Sequence, residues 1–209
     1  LIGQNDTFPT ETWLSISSWL PDLAEASPDV FLQACEKLVK SKAAIEKLFE
    51  EGGDIFSSSE HTYLLWALER LAWSTEFLTR VALILGELSA LDPGGKLHNR
   101  PINSLKEIFL PWHPHTTASV QHRLDAIDVL YREKPDITWK LACSLLPNVH
   151  DVSMETNEPR WRDWKTGDSA KTTIEEYWTF IRELVTRMIE WAGNSGERWA
   201  TLISLYNTL

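Results

Sequence analysis

The segment Pro159-Arg160-Trp161-Arg162-Asp163-Trp164 interleaves two arginines with two tryptophans. A guanidinium over an indole face gives cation–π attraction, and the same pairing anchors protein interfaces or captures a base or a phosphate. The segment sits within residues 147–172, a long loop without convincing periodicity and longer than connections in compact domains usually are. Trp112 also falls between periodic segments, so Trp112, Arg160, Trp161, Arg162 and Trp164 form the candidate partner-binding set. The alternative is a loop pinned to its own domain by the tryptophans, with the arginines paired to nearby carboxylates.

The densest histidine cluster is Trp112-His113-Pro114-His115, with His122 further along. A metal needs three or four converging ligands, which His-x-His and a third histidine can supply. This defines a second reading, a metal-dependent or otherwise unrecognised hydrolase using His113, His115 and His122 or His150. No cysteine is near and no second ligand motif accompanies the cluster, so no metal ligand is assigned. A third reading is a nucleic-acid reader working through the Arg-Trp loop.

Asp92-Pro93-Gly94-Gly95-Lys96 lacks the spacing of a phosphate loop and has no strand before it, so it reads as a helix terminator. The chain has no Gly-x-Ser-x-Gly elbow, no His-Glu-x-x-His helix and no dinucleotide glycine fingerprint. Paired acids such as Glu50-Glu51 and Glu175-Glu176 read as solvated faces or helix-dipole partners. No catalytic or cofactor-binding residue is assigned, and a binding role is favoured over an enzyme.

Composition narrows the partners. The formal net charge is −10, with 8 basic and 15 acidic residues in 1–100 and 12 and 15 in 101–209. That balance argues against general nucleic-acid binding, which works by neutralising phosphates. A hydrophobic share of 43% over 209 residues supports a buried core. The longest apolar run is too short to cross a bilayer, and no export signal is recognisable, so a cytoplasmic location is expected. Cys35 and Cys143 both fall in apolar helical context and read as reduced core thiols.

Positioning falls to helices, because strand-like alternation is nearly absent. Phe77, Leu78, Val81, Ile84, Leu85, Leu88 and Leu91 follow helical spacing, with Ser74 expected as N-cap. A second long helix is expected over 173–191, where Thr173 and Glu176 have capping-box spacing. Shorter helices are expected over 28–40, 42–51, 61–73, 102–110, 119–133 and 136–146, bracketed by 13–20 and 197–209. Six tryptophans, at 66, 73, 139, 178, 191 and 199, fall within these helices and read as packing between them.

Helix starts near 28, 75 and 135 resemble one another, and the starts at 28 and 135 each lead to a cysteine. The expected fold is one all-α domain over 1–209, a degenerate α-solenoid of antiparallel helix pairs of the HEAT or TPR kind, with a closed helical bundle as alternative. If consecutive helices alternate in direction, the loops carrying Trp112 and Arg160 share one end and form a joint surface with His150. Leu1 is not methionine and residues 199–209 stop on an apolar pattern with no capping glycine, so a piece of a longer protein is expected.

Three stretches resemble segments of large bacterial multidomain proteins of the STAND type, which serve in signalling and anti-phage defence. They are residues 61–73 (HTYLLWALERLAW), residues 108–112 (IFLPW) and residues 159–164 (PRWRDW). In those proteins an effector and an NTPase precede a long helical-repeat sensor region. The resemblance implies a helical-repeat architecture and a recognition or scaffolding role, met by a protein partner or by other domains of the parent chain. It transfers no functional residue, since none of the three stretches is a catalytic signature.

Overall fold

The structure, a computed structural model, describes residues 10–50, 60–148, 152–165 and 172–206. All regular elements among them are helical. They are α1 (Thr10–Ser15), a 3-10 turn (Ser17–Trp19), α2 (Leu20–Ala26), α3 (Pro28–Leu38), α4 (Lys42–Leu48), α5 (His61–Ala72), α6 (Leu78–Leu91), α7 (Pro101–Phe109), α8 (Val120–Glu133), α9 (Pro135–Leu145), α10 (Ile174–Ala192) and α11 (Gly196–Tyr206). No helix among the described residues is long and apolar enough to cross a membrane.

Most elements follow the spacing of their apolar residues. Helix α6 is amphipathic about Val81, Ile84, Leu85 and Leu88, all buried, and it lies at the centre, touching α3, α4, α5, α7, α8 and α9. Gly86 permits its approach to α8, since a Cβ there would stand 2.5 Å from Leu130 Cδ1. At α10 the expected capping box forms: the Thr173 hydroxyl accepts from the Glu176 amide, and Glu176 Oε2 accepts from the Thr173 amide at 2.9 Å. The starts of α3 and α9 share a backbone form, Ser27 at φ −145°, ψ 77° and Lys134 at φ −138°, ψ 68°, because each precedes a proline that bars the α region.

Two expectations need correction. Ser74 is not the cap of α6: Phe77 holds that position, and the 73–77 segment turns instead, with Ser74 buried. The expected helix over 13–20 is in fact α1 followed by the 3-10 turn, and a separate helix, α2, begins at Leu20. The proline at 21 looks like a helix end in sequence, but it occupies the first turn of α2, where its missing N–H has no partner to lose. Helix α2 packs against α5 and carries the residues that govern the long loop.

The tryptophans divide. Trp73 is buried at the end of α5, Trp191 stacks on Tyr131 with centroids 4.1 Å apart, and the Arg198 guanidinium lies 5.0 Å from the Trp139 ring. Trp178 and Trp199, expected to pack between helices, are instead substantially exposed. Both cysteines are free; Cys35 is buried, which pushes its thiol well above the ordinary range, and Cys143 is half-buried.

Candidate functional site

Residues 152–165 form an irregular strap laid across α2, α5 and α7, and three glutamates hold it. Glu25 of α2 is fully buried and accepts the backbone amides of three successive residues: Arg160 at 2.9 and 3.0 Å, Trp161 at 2.7 Å and Arg162 at 3.2 Å. Its other partner is Arg70 of α5 at 2.9 Å, which also meets Asp22 at 2.8 Å. Glu69 of α5 accepts the Asn157 amide at 2.9 Å and the Ser104 hydroxyl at 2.6 Å. Glu107 of α7 accepts the Met154 amide and the Ser153 hydroxyl, both at 3.0 Å. A buried carboxylate needs donors from every side, and an irregular backbone has amides with no helical partner, so each satisfies the other. Burial raises the Glu69 carboxyl above its ordinary range.

His115 completes the attachment. Its Nδ1 lies 3.0 Å from the Thr156 hydroxyl and its Nε2 3.3 Å from the Ser153 hydroxyl. Because Ser153 donates its one hydroxyl proton to Glu107, Nε2 must carry the ring proton, and the bare Nδ1 accepts from Thr156. The ring stacks on Trp73, with centroids 5.9 Å apart, and burial holds its pKa down to about 4. Lys165 also lies over the Trp73 ring, 5.0 Å from its centroid, and pairs with Glu158.

Within this frame the five sequence candidates take different positions. Trp164 packs edge-on against Phe77, 5.8 Å between centroids. Arg162 turns back to cap the end of α2, its Nε donating to the Glu25 carbonyl at 2.9 Å and its Nη2 to the Ala26 carbonyl at 3.4 Å. Trp161 points outward, 65% exposed, with its indole N–H 3.3 Å from Asp22 Oδ1. The Arg160 guanidinium lies 4.8 Å from the Trp161 ring. Trp112 is elsewhere: it stacks on His113 and lines a cleft beside the start of α10. The two loops do meet, through His115 with Ser153 and Thr156 rather than through Trp112.

His113 lies edge-on to His115, with centroids 5.0 Å apart, but the histidines do not converge as a ligand set. Both nitrogens of His115 are engaged, and His122 Nδ1 faces the Ser119 hydroxyl at 3.2 Å. Among the described residues no group of three His, Cys, Asp or Glu side chains could hold a metal ion. His150 lies outside the described residues.

Comparison of the chain with protein families, with curated proteins and with solved structures gives no match. The geometry therefore carries the functional reading alone. Glu25, Glu69 and Glu107 are the residues that sequence reasoning overlooked, because a single acid has no spacing to mark it. One signal was available: Glu69 stands four residues after Leu65 and three before Ala72, on the apolar arc of its helix, where an ionised group must have donors waiting.

Proposed function

We propose that this chain is a non-catalytic recognition or scaffolding module of stacked helices, working in the cytoplasm within a larger bacterial protein and meeting a protein partner or a neighbouring domain through Arg160 and Trp161. One observation carries the reading. The backbone at 160–162 is fixed on Glu25 while the Trp161 indole, with a guanidinium over it, stands in solvent.

Side chains that need no ordering at the moment of contact lose little entropy on binding, and Trp and Arg are the residues most often found at energetic centres of interfaces. Arg162 and Trp164 serve this surface from behind, by fixing the strap. The order of helix contacts from α6 to α10 supports a stack, since these helices pack mainly on those one and two places along the chain.

Crosslinking tests the reading. A photoreactive benzophenone residue at position 161, expressed in the source cells, is expected to give a discrete crosslinked species of defined mass. The same group at Asp125, exposed on α8, should not. Identical patterns from the two positions would overturn the proposal.

A further inference from the structure

Helix α10 has a wider apolar arc than the other described residues cover. Phe180, Leu184 and Met188 face the core, whereas Ile174 is 80% exposed, Trp178 51% and Ile189 47%, with Val185 half-buried. Ile174, Trp178, Val185 and Ile189 step by four, seven and four residues along one face, the spacing with which one helix seats along another, while Ile181 beside them is buried in the core. Beside Trp178 opens a cleft of about 420 Å³ to which Trp112, Tyr177 and Pro147 also contribute.

The charges flanking this stripe select its occupant. Glu175 and Arg182 are seven residues apart, two turns, and so stand on one side of the stripe with Trp178 between them. Both are exposed, and neither side chain has an ion-pair partner among the described residues. Laid antiparallel on a copy of itself about an axis beside Trp178, α10 brings Glu175 opposite the partner's Arg182 and Arg182 opposite the partner's Glu175. Residues flanking the seam on the same side of each helix are the ones that meet in an antiparallel pair. The same axis brings Ile174 against the partner's Val185 and the two Trp178 rings together at the centre.

We propose that the exposed stripe of α10 is a self-association surface, pairing two copies of this chain antiparallel about Trp178 with two reciprocal Glu175–Arg182 ion pairs. The apolar stripe supplies the attraction. The ion pairs set direction and register, because a parallel arrangement puts the charged flanks of the two helices on opposite sides of the seam, where Glu175 and the partner's Arg182 do not meet. One helix pair is a small interface, so association belongs in the micromolar range or weaker. The surface uses neither Arg160 nor Trp161, so this inference and the recognition reading stand or fall separately.

Sedimentation equilibrium on the whole chain, from micromolar to millimolar concentration, provides the test. The wild type is expected to rise from 24.0 kDa toward twice that mass. Glu175→Arg alone and Arg182→Glu alone each set like charges opposite one another at both positions, and each should stay monomeric. An equimolar mixture of the two restores both attractions and should associate like the wild type, as should the double variant. Both residues are exposed, and an unchanged circular dichroism spectrum establishes that each variant is folded. A wild type that stays monomeric at millimolar concentration overturns the proposal. So do single variants that associate as the wild type does, or a mixture that associates no better than its components.

Discussion

The strap over residues 152–165 and the packing of α6 on α8 are both ordered, by opposite means. Between α6 and α8, order comes from volume: Gly86 leaves a space that Leu130 fills, with Val81, Ile84, Leu85 and Ile127 buried around it. In the strap it comes from direction, since three buried carboxylates and one imidazole accept or donate to groups that have no secondary-structure partner. Packing degrades gradually as atoms are removed, whereas a hydrogen-bonded anchor fails when its acceptor is lost. The irregular segment is therefore the more brittle of the two.

The sharpest way to break this contrast is Glu25→Ala. It strands three backbone amides and one hydrogen bond of Arg70 in a dry site, and should cost about 3–5 kcal/mol. Urea unfolding would measure it, and hydrogen exchange should show loss of protection at 160–162 first. A loss below about 1 kcal/mol would mean that water replaces the carboxylate easily. Gly86→Ala attacks the other region, forcing a methyl into Leu130, with an expected cost of about 1–3 kcal/mol and no effect on exchange in the strap.

Titration separates the two regions further, because a buried histidine, His115, holds the strap and none lies between α6 and α8. His115 is held neutral in the fold, with a pKa of about 4 against an ordinary 6.5. Its folded pKa is depressed, so its contribution is complete above pH 6.5 and is lost as the pH falls from 6.5 to about 4. The wild type should thus lose about 2 kcal/mol relative to His115→Asn across that window. Parallel stability curves for the two proteins would assign the acid sensitivity to other groups. Glu69, raised by burial, acts in the opposite sense, and its contribution is lost as the pH rises.

The smallest effects sharpen the comparison inside the strap itself. Trp164→Ala removes the contact with Phe77 and should cost about 1–2 kcal/mol, whereas Trp161→Ala should change stability by less than about 0.5 kcal/mol. Thermal unfolding of the pair would show whether the division into a packing tryptophan and a presented one holds.

Periodicity made α5 to α10 legible in the sequence, because each of those helices buries one face more completely than the other. The Thr173 capping box was legible for a different reason: its two partners are three residues apart and bond to each other. Helix α2 was not, since Pro21 can end a helix as well as begin one. With α2 unseen, Glu25 had no frame. The strap's attachment is written in pairs such as Glu25 with Trp161, 136 residues apart, and no local spacing encodes a contact of that range. The sequence alternative of a loop pinned to its own domain is close to what is seen, except that the carboxylates grip backbone amides more than arginine side chains.

That grip on the backbone has an evolutionary consequence. Glu25 holds groups that every amino acid except proline provides, so the letters at 160 and 161 can be rewritten without loosening the attachment that displays them. A lineage carrying this fold could change what its tip meets by point substitution at two positions, leaving the helices untouched. Proline at either position is the one change that removes a donor to Glu25 whatever else the tip carries.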